Sequence, residues 1–182
     1  MQRGFLVHLY RCVGCRGCEL ACKNERGMEN ISEDGHKDKP CWRRVQSLPG
    51  NGRMLFLSVS CHHCANPECL RVCPGRAYFK RRDGIVVHDA RRCRGCRLCV
   101  SACPYGSPRF NPEKKRVEKC RFCWERLDAG LKPACVEACI TGALEMIDLD
   151  EYPEEGNGLP RLPGGFPDPR LTRPSIRFKW HP

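Results

Sequence analysis

Sixteen of the seventeen cysteines in this 182-residue chain fall into four groups of four. The first group, Cys12, Cys15, Cys18 and Cys22, reads C-x2-C-x2-C-x3-C, and the third, Cys93, Cys96, Cys99 and Cys103, repeats it. The second, Cys61, Cys64, Cys69 and Cys73, widens the middle gap to x4, and the fourth, Cys120, Cys123, Cys135 and Cys139, opens it to x11. Cys41 stands alone. Thiols so spaced suit three chemistries: disulfides, zinc sites or iron–sulfur clusters. A disulfide framework favours a short secreted chain with an even cysteine count, and here the count is odd. Zinc sites usually draw paired C-x2-C knuckles from distant segments, whereas the first and third groups each place four thiols within eleven residues. Radical chemistry on an open-iron cluster needs C-x3-C-x2-C. Each C-x3-C here is followed three residues on by Glu25, Arg76, Gly106 or Gly142, so that reading fails.

The unbroken C-x2-C-x2-C-x3-C run is the one by which bacterial ferredoxins hold a [4Fe–4S] cluster, with the fourth cysteine serving a second cluster. The expected geometry is a tight loop carrying three cysteines, with the fourth on the first turn of a helix. Gly14, Gly17 and Gly95 sit in these loops, where the lack of a Cβ lets the backbone curl and turn N–H groups toward sulfur. Pro74 and Pro104 follow the second and third groups. Crossed ligation then predicts four sites. Site I is Cys12, Cys15 and Cys18 with Cys139; site II is Cys120, Cys123 and Cys135 with Cys22. Site III is Cys61, Cys64 and Cys69 with Cys103; site IV is Cys93, Cys96 and Cys99 with Cys73.

The elements follow from that pairing. Nineteen residues separate the second and third groups, room for a hairpin of Ala77–Lys80 and Ile85–His88 around Asp83-Gly84. The expected fold is α+β, with two nested ferredoxin-like modules of two clusters each. Residues 1–52 and 115–150 make the outer module and 53–114 the inner one. Met54–Val59 reads as a strand, and Trp42–Val45 is a second candidate inside the polar insertion at 24–53. Helical turns are expected at Cys22–Glu25, Cys73–Arg76, Cys103–Gly106 and Cys139–Gly142. Residues 151–182, with seven Pro and four Gly, read as an extended tail. Its apolar side chains (Leu159, Leu162, Phe166, Leu171, Ile176, Phe178, Trp180) point to packing along its own modules or along another subunit.

Composition agrees that metal must help hold the fold. The 41% apolar fraction includes the 17 cysteines, so about 32% of the chain is left to pack a core. No apolar run nears the roughly 18 residues of a membrane span, and Phe5–Tyr10 is not a secretory core. The net charge of +11 invites a nucleic-acid reading. Four sites at about −2 each would bring it near +3, however, and no nucleic-acid motif is present. Arg11, Arg16, Arg92, Arg94, Arg97 and Arg121 flank ligands, where they stabilise reduced clusters or simply solvate the surface. His62 and His63, between Cys61 and Cys64, are expected to pack or to donate to sulfur rather than to ligate. Gly50-x-Gly52 and Gly156-x-Gly158 lack the third glycine of a dinucleotide loop. No catalytic set and no direct substrate site is visible.

The order of these groups resembles the four-cluster iron–sulfur electron-transfer subunits of the molybdopterin oxidoreductase family, in its dimethyl sulfoxide reductase branch. The likeness runs from about Gly4 to Trp180. It includes Cys18-Glu19-Leu20-Ala21-Cys22-Lys23, Cys73-Pro74, Asp83-Gly84-Ile85-Val86-Val87 and Cys103-Pro104-Tyr105-Gly106. Lys119-Cys120, Gly130-Leu131-Lys132-Pro133-Ala134-Cys135-Val136-Glu137 and Leu171-Thr172-Arg173-Pro174 extend it. Ile140 replaces the usual proline after the last ligand, and Cys41 is extra. The resemblance implies four [4Fe–4S] clusters, with sixteen cysteines arguing against a [3Fe–4S] variant. It implies two partners: next to site I a molybdopterin catalytic subunit, and next to site IV a quinone-reacting membrane anchor subunit. It further implies a peripheral, membrane-associated place in a complex, on the periplasmic or the cytoplasmic face. Two alternatives differ in class. A soluble polyferredoxin serving a cytosolic oxidoreductase would purify alone, and a zinc-based interaction module would lack visible absorbance.

Overall fold

The computed structural model describes residues 1–26, 42–49, 54–152 and 167–179. Cys41, both Gly-x-Gly pairs and the tail side chains Leu159, Leu162, Phe166 and Trp180 lie outside the described residues. Strand β1 (Arg3–His8) is buried along nearly its whole length, which suits the centre of a sheet. It pairs antiparallel with β8 (Leu144–Asp148), Arg3 opposite Asp148 and Val7 opposite Leu144. On its other side it pairs parallel with β9 (Ile176–Lys179), Phe5 opposite Ile176 and His8 opposite Lys179. Gly4 permits this closeness, because a Cβ there would come within 3.0 Å of the Ser175 carbonyl. The chain's first strand thus lies between two strands drawn from its last forty residues.

Among the described residues, three two-stranded ribbons complete the sheets. Strands β2 (Arg44–Pro49) and β3 (Met54–Val59) pair antiparallel, so the expected Met54–Val59 strand is present. The Trp42–Val45 candidate begins two residues later and runs longer than expected, in register with the whole of β3. Strands β4 (Tyr78–Lys80) and β5 (Val86–His88) form the hairpin around Asp83-Gly84, and β6 (Arg109–Asn111) pairs with β7 (Arg116–Glu118).

The helices are short. Helix α1 (Gly17–Glu25) packs against α5 (Ala134–Glu137), and α2 (Glu68–Arg71) against α3 (Leu98–Ala102); α4 (Trp124–Asp128) precedes α5. The third cysteine of each group lies on a helix, and of the fourth cysteines only Cys22, on α1, does the same. Cys18, Cys69, Cys99 and Cys135 all do so, whereas Cys73, Cys103 and Cys139 fall in the turns beyond. Proline explains two of these exits: it disfavours helical geometry in the residue before it, and Cys103, before Pro104, is extended at φ −79°, ψ 112°. Lys23 imposes no such stop after Cys22, so α1 runs on to Glu25.

The main core joins β1, β3, β5, β8 and β9 around Phe5, Val7, Leu57, Val59, Ile85, Val87, Leu144, Ile176 and Phe178. Phe122 stacks on Phe5 with ring centroids 4.2 Å apart. A smaller core of Cys69, Ala77, Tyr78, Val86, Cys99 and Val117 lies between the second and third cysteine groups. Part of the proline-rich tail is built into the fold. Helix α6 (Pro169–Thr172) leads into β9, and Ser175 hydrogen-bonds the carbonyls of His62 and His63.

Candidate metal centres

The four cysteine groups share one backbone knuckle that their side chains conceal. The residue before the second cysteine has positive φ in every group: Gly14 at 72°, His63 at 45°, Gly95 at 69° and Phe122 at 59°. Its N–H then turns back toward the first cysteine. Gly14 N–H favours the Cys12 thiolate, His63 N–H favours that of Cys61, and Phe122 N–H lies 3.4 Å from Cys120 Sγ. Sequence reading finds Gly14 and Gly95 but not His63 and Phe122, which take the same conformation with a full side chain. Gly17 does not share it, since it opens α1. A second repeat closes three groups: Arg76, Gly106 and Gly142 have positive φ and donate to the carbonyls of Cys73, Cys103 and Cys139, each at 3.1 Å.

Several thiols are acted on by thiols of their own group and of one other group. Burial raises the Cys12 pKa, and the thiols pressing on it are Cys18, Cys139 and Cys15. Burial and then Cys120, Cys135 and Cys123 raise Cys22. Cys64 and Cys69 are pushed up to about 12 by burial, with Cys61 and Cys103 as charged neighbours. Cys99 is raised by burial and faces Cys73, Cys93 and Cys96. Further donors aim at sulfur: Ala77 N–H at Cys73 Sγ (3.3 Å), Val117 N–H at Cys93 Sγ (3.5 Å) and the Thr172 hydroxyl at Cys64. Thiols held this high stay protonated at neutral pH unless a cation replaces the proton. Four thiols with N–H donors around them, three from one group and one from another, therefore fit a [4Fe–4S] cube.

Neighbouring sets meet in the order I, II, III, IV. Cys18 of site I acts on Cys135 of site II, Cys120 of site II acts on Cys61 of site III, and Tyr78 lies between Cys99 of site IV and Cys69 and Cys61 of site III. Two cations stand at the first two junctions. Arg43 is 1% exposed, donates to Ser58 Oγ (2.9 Å) and Ser60 Oγ (2.8 Å), and covers the Phe5 ring. Burial alone would lower its pKa, but Cys135, Cys120, Cys18 and Cys22 together raise it. Lys119, 2% exposed, bonds the carbonyls of Val86 and Cys120, and its charge favours the thiolates of Cys61 and Cys69.

These buried cations were not among the arginines that the spacing singles out. Arg16, Arg92, Arg94, Arg97 and Arg121 are exposed, and Arg97 lies over the Phe110 ring. His62 and His63 are buried in packing roles. His63 Nδ1 accepts from Val86 N–H, and His62 lies against Tyr105. Burial drives His62 down to about 3 and keeps His63 neutral. Exposure separates the sites as well. Only Cys15 of site I and Cys96 of site IV are exposed among the sixteen. Val13, Leu20 and Ile140 are exposed around the first. Among the described residues, no helix is long and apolar enough to cross a membrane.

Comparison with known proteins agrees with this chemistry. A family model described as a 4Fe–4S dicluster domain matches residues 52–149. A polypeptide of the anaerobic dimethyl sulfoxide reductase of Escherichia coli (strain K12) is 38% identical over 188 aligned positions, spanning 98% of this chain and 88% of the relative. A subunit of the tetrathionate reductase of Salmonella typhimurium is 41% identical over 148 positions (80% and 58%). The thiosulfate reductase electron transfer subunit of Salmonella typhi is 40% identical over 144 (78% and 73%).

Proposed function

The protein belongs to the 4Fe–4S dicluster family of reductase iron–sulfur subunits, and from that premise we propose that it relays single electrons through four [4Fe–4S] clusters within a multi-subunit molybdopterin oxidoreductase. Its donor and acceptor are a membrane subunit that reacts with quinone and a molybdenum catalytic subunit of the dimethyl sulfoxide reductase kind. The chain itself contributes no catalytic residue, and it joins the membrane only through the complex. Each cluster, when bound, supplies a one-electron store between which electrons tunnel. The protein's residues do the rest: they fix the order of the stores, exclude water and set the local charge.

The observation that carries the reading is the contact order of the four thiol sets, with exposed ligands only in the first and last. A relay needs interior stores shielded and terminal ones reachable, and Cys15 and Cys96 meet that requirement. The pairing of α1 with α5 and of α2 with α3 supports the nested arrangement, residues 53–114 inside 1–52 and 115–150. Site I then faces the catalytic subunit and site IV the membrane subunit. Iron and sulfide analysis of the anaerobically purified complex tests the reading. The expected result is about sixteen of each for this chain, over and above the catalytic subunit's own complement, with little zinc. About eight iron with four zinc would overturn it.

A further inference from the structure

Arg43 is a fully buried cation attached to two different ligand sets. Its Nη1 donates to Ser58 Oγ at 2.9 Å, and that hydroxyl lies 3.3 Å from Cys18 Sγ. Because the serine oxygen already accepts from the guanidinium, its own proton is left for the cysteine sulfur. The guanidinium is also the largest charge acting on Cys135 and favours its thiolate, and Ser60 Oγ at 2.8 Å fixes its other arm. Cys18 belongs to site I and Cys135 to site II. A guanidinium keeps its charge at any pH the fold survives, and in a low-dielectric interior that charge is not screened by water. We propose that Arg43 is the shared electrostatic control of the first two sites, stabilising an electron at site II by its charge and at site I through Ser58.

The inference rests on the four-cluster reading. Each site gains one electron on reduction and returns it on oxidation, and no covalent bond changes. A fixed positive charge favours the reduced form, so its removal lowers the reduction potential. Ser58 gives the two sites separate handles: the guanidinium reaches Cys135 with no intermediary, but Cys18 only through the hydroxyl. The bound fork also makes lysine an incomplete substitute, since a single ammonium does not reproduce a planar guanidinium held by two serines.

The test is potentiometry of the intact complex, followed by low-temperature electron paramagnetic resonance, with each cluster signal assigned by single-ligand variants. Arg43→Gln is expected to weaken reduction at sites I and II by about tenfold, which is about 59 mV for one electron, with sites III and IV unmoved. Ser58→Ala is expected to move site I and leave site II in place. Arg43→Lys should restore most of the site II potential and less of site I. If Arg43→Gln does not assemble, Ser58→Ala and Arg43→Lys still decide the matter. Potentials of sites I and II unchanged in whichever of these variants assemble, or all four sites moving together, would overturn the proposal. Loss of thermal stability with potentials intact would assign Arg43 a packing role alone and overturn it equally. A wild-type complex lacking the sixteen iron would instead refute the four-cluster reading, whatever Arg43 does.

Discussion

Sites I and IV are built on the same knuckle and set in opposite surroundings. At site I one nearby charge is buried, Arg43 reaching Cys18 through Ser58, while outside the exposed apolar Val13, Leu20 and Ile140 are accompanied by the exposed Arg11 and Arg16. At site IV a neutral phenol is turned toward the sulfur, that of Tyr78 toward Cys99, and the charges are outside. Arg91, Arg92, Arg94 and Arg97 line the exposed loop around Cys96. The contrast teaches that proximity in sequence to a ligand says little about electrostatic leverage. An arginine in water is screened within about 10 Å at ordinary ionic strength, whereas a buried one is not.

The largest effects expected from breaking this symmetry come from the ligands themselves. Cys96→Ser should convert or lose the site IV cluster, stop turnover driven by quinol, and leave activity with a soluble viologen dye largely intact. Dye can reduce clusters further along the relay. On the proposed order Cys15→Ser should abolish both activities, because every route to a catalytic subunit would pass through site I. Steady-state assays with the two donors on assembled complexes read this out. If Cys96→Ser removed dye activity while Cys15→Ser spared it, the relay would run in the opposite order.

Much of this architecture was legible in the cysteines. Their spacing led to iron–sulfur chemistry and to the β4–β5 hairpin, because these depend on residues close together along the chain. What it hid depends on distant ones. Strand β9 pairs with β1 across more than 160 residues, Phe5 opposite Ile176, and lies in a segment whose prolines and glycines read as a tail. Arg43 was one residue of a strand candidate, since its role comes from Cys18 and Cys135, which fold against it from opposite ends of the chain. The αL conformations of His63 and Phe122 were invisible because neither residue type advertises positive φ.

A smaller effect tests the neutral side of the comparison. The Tyr78 hydroxyl favours the Cys99 thiolate, and the phenol is itself held protonated by burial and by Cys99. Tyr78→Phe removes a buried neutral hydroxyl facing Cys99 that completes no full hydrogen bond, so the expected loss lies below the about 0.5–1.5 kcal/mol of an ordinary one. The site IV potential should fall by less than Arg43→Gln lowers site II, with sites I and II unmoved. A fall as large as that from Arg43→Gln would mean that burial, rather than charge, governs the potentials.

The smallest expected effect concerns the arginines nearest the ligands in sequence. Arg94 lies between Cys93 and Cys96, so a reading by sequence distance would rank it above Arg43, which stands far from any cysteine of the four groups. It is exposed, however, and water surrounds its charge. Surface charges of this kind interact with their neighbours by about 0–1 kcal/mol and lose most of that in salt. Arg94→Gln should therefore leave the site IV potential nearly where it was at physiological ionic strength, and whatever small shift exists should shrink as salt rises. Arg43→Gln, by contrast, should shift sites I and II by the same amount in low and high salt, since ions do not reach the buried guanidinium. Potentiometry of both variants at two ionic strengths makes the comparison. A large, salt-independent shift from Arg94→Gln would show that the loop around Cys96 is covered in the complex, and that the exposed end of the chain is as dry as its interior.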